Sequence, residues 1–193
     1  MRIILFLILI AVFQRTQAQI KISTIDITHF WEAYDALPKS GDSVLIIRRL
    51  YLDRASEGMK DFIKARKLTA PEYVKLFQKF PKFWTSIRPN TLAVLEKQKE
   101  LEEVFVKFKE RYPNFKPPTI CFAIGCMRTG GTTSSDQILI GTELASSDAT
   151  TDASETSGWL KSVIGSIGNV VDMVAHEAVH TQQVYSRTFT KQQ

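Results

Sequence analysis

The pattern of apolar and polar positions changes character near residue 115. Up to that point, apolar residues recur at helical spacing with charged residues between them. This pattern is typical of helices that bury one face and leave the other in water. It predicts helices over 27–37, 42–55, 69–80 and 91–112.

Several residues mark where these helices begin and end. Asp42 is of the type that caps a helix N-terminus. Thr69 and Glu72 have the spacing of a capping box, and Pro71 would lie in the first turn, where its missing N–H does no harm. Pro81 is expected to end this helix.

The last third of the chain predicts a different order of elements. Short apolar stretches at 117–125 and 136–144 predict two strands joined by a loop rich in Gly, Thr and Ser. A polar crossing follows over 142–158, where Asp152 and Glu155 again have capping-box spacing. The pattern over 153–185 is helical, with a break near Gly165 and Gly168 as one alternative. We therefore predict an α+β fold that is mostly helical, with a small sheet beside the last helix.

The N-terminus predicts export from the cytoplasm. Arg2 precedes an apolar run from Ile3 to Phe13, and Ala18 ends a segment that suits signal peptidase. The alternative is a membrane anchor, but this run is too short to cross about 30 Å of hydrocarbon. We expect cleavage after Ala18, no later transmembrane segment, and a periplasmic or secreted protein. The predicted division is a signal peptide (1–18), a helical region (19–115) and a core with the candidate site (116–193).

Composition and charge exclude some classes of function. The 193 residues carry a formal net charge of +5, and basic residues alternate with acidic ones along 96–111. This alternation indicates a solvated helix face and argues against nucleic-acid binding. Cys121 and Cys126 are interpreted as buried free thiols, with a disulfide as the alternative in an exported protein.

The candidate chemistry lies in the sequence VAHEAVHTQQV, residues 174–184. His176 and His180 are four residues apart, so on a helix they share a face and can both reach one Zn²⁺ at about 2.0–2.1 Å. Glu177 cannot join them as a ligand, but it can take a proton from metal-bound water. On a helical wheel, Val174 lies on the apolar face and both histidines lie opposite. The sequence therefore predicts His176 and His180 as zinc ligands and Glu177 as a catalytic base.

A third zinc ligand is harder to assign. Gln183 and Ser186 stand where the metzincin pattern has glycine and histidine. Asp172 shares the histidine face, but at about 12 Å along the axis from His180 it is expected to orient His176 rather than bind the ion. Two further candidates, His29 and Glu143, depend on whether the fold brings them close.

Two longer stretches, TICFAIGCMRTGGTTSSDQILIGTELA and DMVAHEAVHTQQ, resemble a family of predicted zinc-dependent peptidases. These are exported bacterial proteins related to the gliding-motility lipoprotein B group, and the resemblance is strongest over 113–184. It implies a zincin-like fold, with His176 and His180 as ligands and Glu177 as base. It also implies a third ligand, a glutamate in a later helix that this sequence lacks. We therefore expect a C-terminally truncated or shortened relative.

Two functions compete at this point. The first is an exported zinc metallopeptidase that hydrolyses a peptide or protein substrate, with the strand at 137–141 pairing with the substrate backbone. The second is a non-catalytic envelope or gliding-motility binding protein that keeps a zincin-like scaffold without the third ligand. A third interpretation, a secreted helical module with incidental histidines, fits the helix–strand–strand–helix order less well.

Overall fold

The computed structural model describes residues 20–37, 41–134, 136–166 and 169–183. The predicted signal peptide and its cleavage site after Ala18 lie outside these residues, so their assignment stays a prediction. Among the helices that are described, none has both the length and the apolar character that a membrane crossing requires.

The first part of the chain is helical, as predicted. Its helices are α1 (Ile25–Ala36), α2 (Ser43–Leu50), α3 (Glu57–Arg66), α4 (Ala70–Lys79), α5 (Pro81–Ala93) and α6 (Gln98–Arg111). Asp42 caps α2 as predicted, because its side chain accepts a hydrogen bond from the Leu45 N–H at 2.9 Å. Thr69 does precede α4, but its side chain makes no capping hydrogen bond. Only the position of that predicted capping box is therefore confirmed.

Several helix boundaries differ from the prediction. The helix predicted over 42–55 ends at Leu50. The helix α3 was not predicted. The predicted helix at 91–112 is divided between the end of α5, a 3₁₀ turn at Val94–Glu96 and α6. Pro81 both follows α4 and begins α5, because a proline in the first turn of a helix loses no intrahelical hydrogen bond.

A four-stranded mixed sheet completes the α+β fold, which confirms the predicted fold class. Its strands are β1 (Ile22–Ser23), β2 (Thr119–Ala123), β3 (Gly131–Ser134) and β4 (Gln137–Gly141), in the order β1-β2-β4-β3. β1 and β4 run parallel to β2, whereas β3 is antiparallel to β4. β2 and β4 were predicted, β3 lies in the predicted loop, and β1 was missed.

The end of the chain forms shorter helices than predicted. They are α7 (Thr142–Ala145), α8 (Gly158–Val163) and α9 (Val170–Gln182), so the alternative with a break near Gly165 is confirmed. Gly165 has φ +75°, a left-handed conformation that suits glycine. The capping box at Asp152 and Glu155 is wrong. Asp152 accepts from the Ser154 N–H, while Glu155 accepts from the Lys82 N–H.

One hydrophobic core joins the helices to the sheet. α1 and α3 pack on β2, and α9 packs on β3 and β4. The hydroxyls of Tyr51 and Tyr73 both donate to the Ile124 carbonyl, at 2.8 and 2.6 Å, and so attach α2 and α4 to the end of β2. Cys121 and Cys126 are buried free thiols, as predicted. The division into regions at 115/116 stays a prediction.

Candidate metal centre

The two faces of α9 are segregated as the helical wheel predicted. Val174 and Ala178 are fully buried against the sheet. His176 is exposed and His180 half-buried, on the side that faces away from the core. The N-terminus of α9 is fixed by Asn169, whose side-chain oxygen accepts from the Val171 N–H at 2.7 Å.

His176 and His180, which we call the histidine pair, converge at their ring tips. Their Nε2 atoms are 3.1 Å apart, and the rings meet edge to face with centroids 4.8 Å apart. If an ion lay at about 2.0–2.1 Å from both nitrogens, the angle between the two nitrogens at the ion would be about 95–102°. This is close to the tetrahedral angle that zinc prefers. The 3.1 Å separation is that of a hydrogen bond between the two rings, and it also fits two ligands of one ion.

The Nδ1 atom of His180 is held by Gln183, the residue that follows α9. Its Nδ1 lies 3.0 Å from Oε1 of Gln183. When the ring donates Nδ1–H to this oxygen, the Nε2 atom of the neutral imidazole keeps its lone pair for a metal. Gln183, which sequence analysis treated as a departure from the metzincin pattern, thus has a place in the site.

Glu177 lies beside the pair, between α9 and the first residue of β3. Its side chain is 8 % exposed, and a Cβ added at Gly131 would lie 2.8 Å from both Cγ and Oε1 of Glu177. Burial raises the pKa of Glu177, and the charges of His176, His180 and Arg66 act against this rise. A carboxylate with a raised pKa is better matched to accept a proton near neutral pH.

Neither Gly131 nor Arg66 was predicted as part of this site. Gly131 belongs to the Thr-Gly-Gly-Thr motif, which was interpreted as part of a loop. Arg66 ends α3, a helix that the hydrophobic pattern did not reveal. Gly131 packs against Glu177, whereas Arg66 acts on Glu177 through its charge. Both relations arise from the tertiary fold, for which the local sequence carries no signal.

In the part of the chain that the structure describes, the residues considered as further ligands do not form a ligand group with the histidine pair. The Asp172 carboxylate accepts from Nδ2 of Asn169 at 2.9 Å, and its role in orienting His176 stays a prediction. His29 lies on α1, where its Nδ1 is buried with no hydrogen-bond partner in the described structure. Across the ranges that are described, no three His, Cys, Asp or Glu side chains form a group that could hold a metal ion.

Glu143 is the other carboxylate of interest, and it is completely buried at the start of α7. Its two oxygens share the Gly125 N–H, at 3.0 and 2.9 Å, and Oε1 also accepts from the Met127 N–H at 2.6 Å. Burial raises the pKa of Glu143 to about 7, although these backbone donors act in the opposite direction. Its donors are thus backbone groups of the turn after β2, so its candidacy as a zinc ligand is not supported.

The strand predicted to receive substrate lies in the middle of the sheet. β4 is hydrogen-bonded to β2 on one side and to β3 on the other, so the prediction that residues 137–141 pair with a substrate backbone is wrong. The edge next to α9 is formed by β3, whose first residue contacts Glu177.

Comparison with known proteins adds no assignment to this geometry. No protein-family model, curated protein or solved structure matches the chain. The resemblance to zinc-dependent peptidases of the gliding-motility lipoprotein B group therefore stays a hypothesis.

Proposed function

We propose that this chain is an exported, zinc-dependent peptidase-like protein, in which His176 and His180 bind Zn²⁺ and Glu177 is the general base. The observation that carries the proposal is the 3.1 Å separation of the two Nε2 atoms on the solvent side of α9. Imidazole nitrogens at this spacing fit two corners of a zinc tetrahedron. Peptides or proteins are the proposed substrates.

The residues of the site divide the chemistry between them. A bound Zn²⁺ would lower the pKa of a coordinated water toward about 7 and polarise a scissile carbonyl. His176 and His180 would hold the ion, and Gln183 would keep the His180 ring in the tautomer that binds it. The Glu177 carboxylate would accept a proton from the attacking water and pass it to the leaving amine. An extended substrate would pair with β3, the edge strand next to α9 in the described sheet.

The experiment for this function is the substitution Glu177→Gln, assayed against a library of quenched fluorescent peptides. We expect hydrolysis to fall by about 10³-fold, because the proton acceptor is lost. The zinc content should stay the same, since Glu177 is not a ligand. Glu103→Gln on the exposed face of α6 is the matched control and should keep full activity. Undiminished hydrolysis by the Glu177→Gln protein would refute the assigned role.

The second candidate is the non-catalytic binding protein on a zincin-like scaffold. Glu143 is hydrogen-bonded to the turn after β2, and Asp172 is hydrogen-bonded to Asn169. This candidate is favoured because neither carboxylate then serves as a third ligand beside the histidine pair. Zinc binding without hydrolysis of any peptide in the library would select this candidate over the enzyme.

A further inference from the structure

We propose that Glu143 is a positioning residue for Glu177, acting through the turn after β2 and through β3 without touching the metal site. The inference rests on the proposed function, because it assigns Glu143 a task only if Glu177 works as the base. Four contacts connect the two carboxylates.

The first contact is between Glu143 and the segment Ile124–Met127, which we call the β2 turn. Cys126 and Met127 have φ of 59° and 54°, a left-handed conformation that costs energy for residues other than glycine. Successive backbone N–H groups near such a conformation form a concave anion site. The Glu143 side chain fills this site and accepts from the Gly125 and Met127 N–H groups. It therefore holds the turn in a shape that these residues would otherwise avoid.

The second contact fixes the other end of the β2 turn. Tyr51 and Tyr73 donate to the Ile124 carbonyl, and the Ile124 N–H donates to the Tyr51 hydroxyl at 3.0 Å. The turn is thus held by the helices on one side and by Glu143 on the other. Any movement of Glu143 must be taken up by the chain that leaves the turn.

The third contact passes this constraint to β3. Thr129 donates through its hydroxyl to the Gly131 carbonyl at 2.6 Å, and the Gly141 N–H donates to the Gly130 carbonyl at 3.1 Å. A Cβ at Gly141 would lie only 2.0 Å from the Thr129 carbonyl oxygen. The Thr-Gly-Gly-Thr and Ile-Gly-Thr-Glu motifs therefore meet here, at a backbone approach that requires glycine.

The last contact joins β3 to the base. Gly131 faces Glu177 so closely that an added Cβ would be 2.8 Å from its Cγ. This contact covers the Glu177 side chain and limits its access to water. A β3 strand that shifts away from α9 would open that side of Glu177 while leaving the histidine pair in place.

The test measures the NOE cross-peak between the Gly131 Hα and Glu177 Hγ protons by NMR in metal-free protein, with Glu177→Gln to assign the signals. In Glu143→Leu, the β2 turn loses its acceptor, and we expect this cross-peak to be lost as β3 moves away from α9. Glu143→Gln keeps one acceptor oxygen and should weaken the cross-peak without abolishing it. In active protein, we expect kcat to fall by about 10- to 100-fold with little change in KM, while zinc affinity changes by less than about two-fold.

Thr91→Val is the control for a general loss of stability, because it removes the acceptor of the buried Trp31 N–H and leaves the hydrogen bonds of the β2 turn in place. It should leave the cross-peak between Gly131 and Glu177 unchanged. If Glu143→Leu does not fold, Glu143→Gln decides, and a cross-peak of wild-type intensity in that variant would overturn the proposal. The NMR experiment needs no metal. A wild-type protein that binds no zinc would therefore contradict the proposed function, while the NMR comparison would still test the role of Glu143.

Discussion

Glu143, which fills the β2 turn from α7, and Glu177, on α9 beside the histidine pair, are both buried glutamates, and they differ in what surrounds the carboxylate. Glu143 accepts hydrogen bonds from the backbone N–H groups of two residues, and these bonds hold a strained turn in place. Glu177 lies against a glycine and beside two imidazoles, whose charges counteract the effect of burial. Burial alone therefore does not mark a catalytic carboxylate. The surrounding donors distinguish a group that holds the backbone from a group that is available to take a proton.

The largest effect on stability is expected for Glu143→Leu. This change leaves the Gly125 and Met127 N–H groups buried without an acceptor, each at a cost of about 1–3 kcal/mol. We expect the free energy of unfolding to fall by about 4 kcal/mol in urea titrations at pH 6.

The matching change in the second region is Glu177→Gln. Because burial already disfavours the charged form of Glu177, a neutral amide should change the free energy of unfolding by no more than about 0.5 kcal/mol. Equal losses in the two variants would contradict the distinction between the two carboxylates.

The next effect is a dependence of stability on pH. The pKa of Glu143 is about 7 in the folded protein against an ordinary 4.5, so the folded state holds its proton more tightly than the unfolded state. This contribution is complete below pH 4.5 and is lost as the pH rises to about 7, at about 1.4 kcal/mol per pH unit. Over this pH range, we expect the free energy of unfolding of wild type to fall by about 3 kcal/mol relative to that of Glu143→Gln.

Urea titrations of the two proteins between pH 4.5 and 8 measure this difference, and the contribution of Glu177 cancels because both proteins contain it. Burial also raises the pKa values of Tyr51, Tyr73 and Cys126 around Glu143, so these groups stay neutral throughout. Parallel stability curves for the two proteins would show that Glu143 does not titrate as described.

A smaller effect is expected where β3 meets Glu177. Gly131→Ala places a methyl group 2.8 Å from the Glu177 side chain and should cost about 1–2 kcal/mol of stability. Glu177→Ala removes the atoms that the methyl group meets, so the double variant should recover most of this loss. Gly41→Ala is the control, because a Cβ added at Gly41 would have no atom within 4 Å. Additive losses in the double variant would place Gly131 and Glu177 out of contact.

The last effect, expected at Gln183, concerns metal binding and not stability. Replacing it with alanine removes the hydrogen bond to Nδ1 of His180, and loss of such a partner weakens metal binding by about ten-fold or more. Competition with a zinc-chelating dye gives the affinity. Gln98→Ala, at an exposed position on α6, should keep the wild-type value.

The site on α9 could be predicted because its geometry is local. Residues four apart on a helix share a face, and the apolar positions around Val174 define which face is buried. The positions of His176, Glu177 and His180 therefore follow from the sequence once the segment is known to be helical. Asp172 shows the limit of this reasoning, because its face was predicted and its hydrogen-bond partner was not.

The surroundings of the site could not be predicted because they depend on tertiary structure. β3 has only four residues of Gly, Thr and Ser, whose composition is typical of a loop, and it is a strand because β4 pairs with it. The left-handed turn at Cys126 and Met127 contains no glycine at those positions and is held by Glu143, from a later element. Pro81 was interpreted as the end of one helix because proline interrupts a helical pattern, although it also begins α5.

The most direct test of the account is a zinc titration of metal-free full-length protein, prepared without a histidine tag. The account predicts about one zinc ion per chain in wild type and in His29→Gln, which keeps the histidine pair. It predicts loss of that zinc in His176→Ala and in His180→Ala. Less than about 0.1 zinc per wild-type chain, or the same uptake in all four proteins, would contradict the claim that the two converging imidazoles form a metal site.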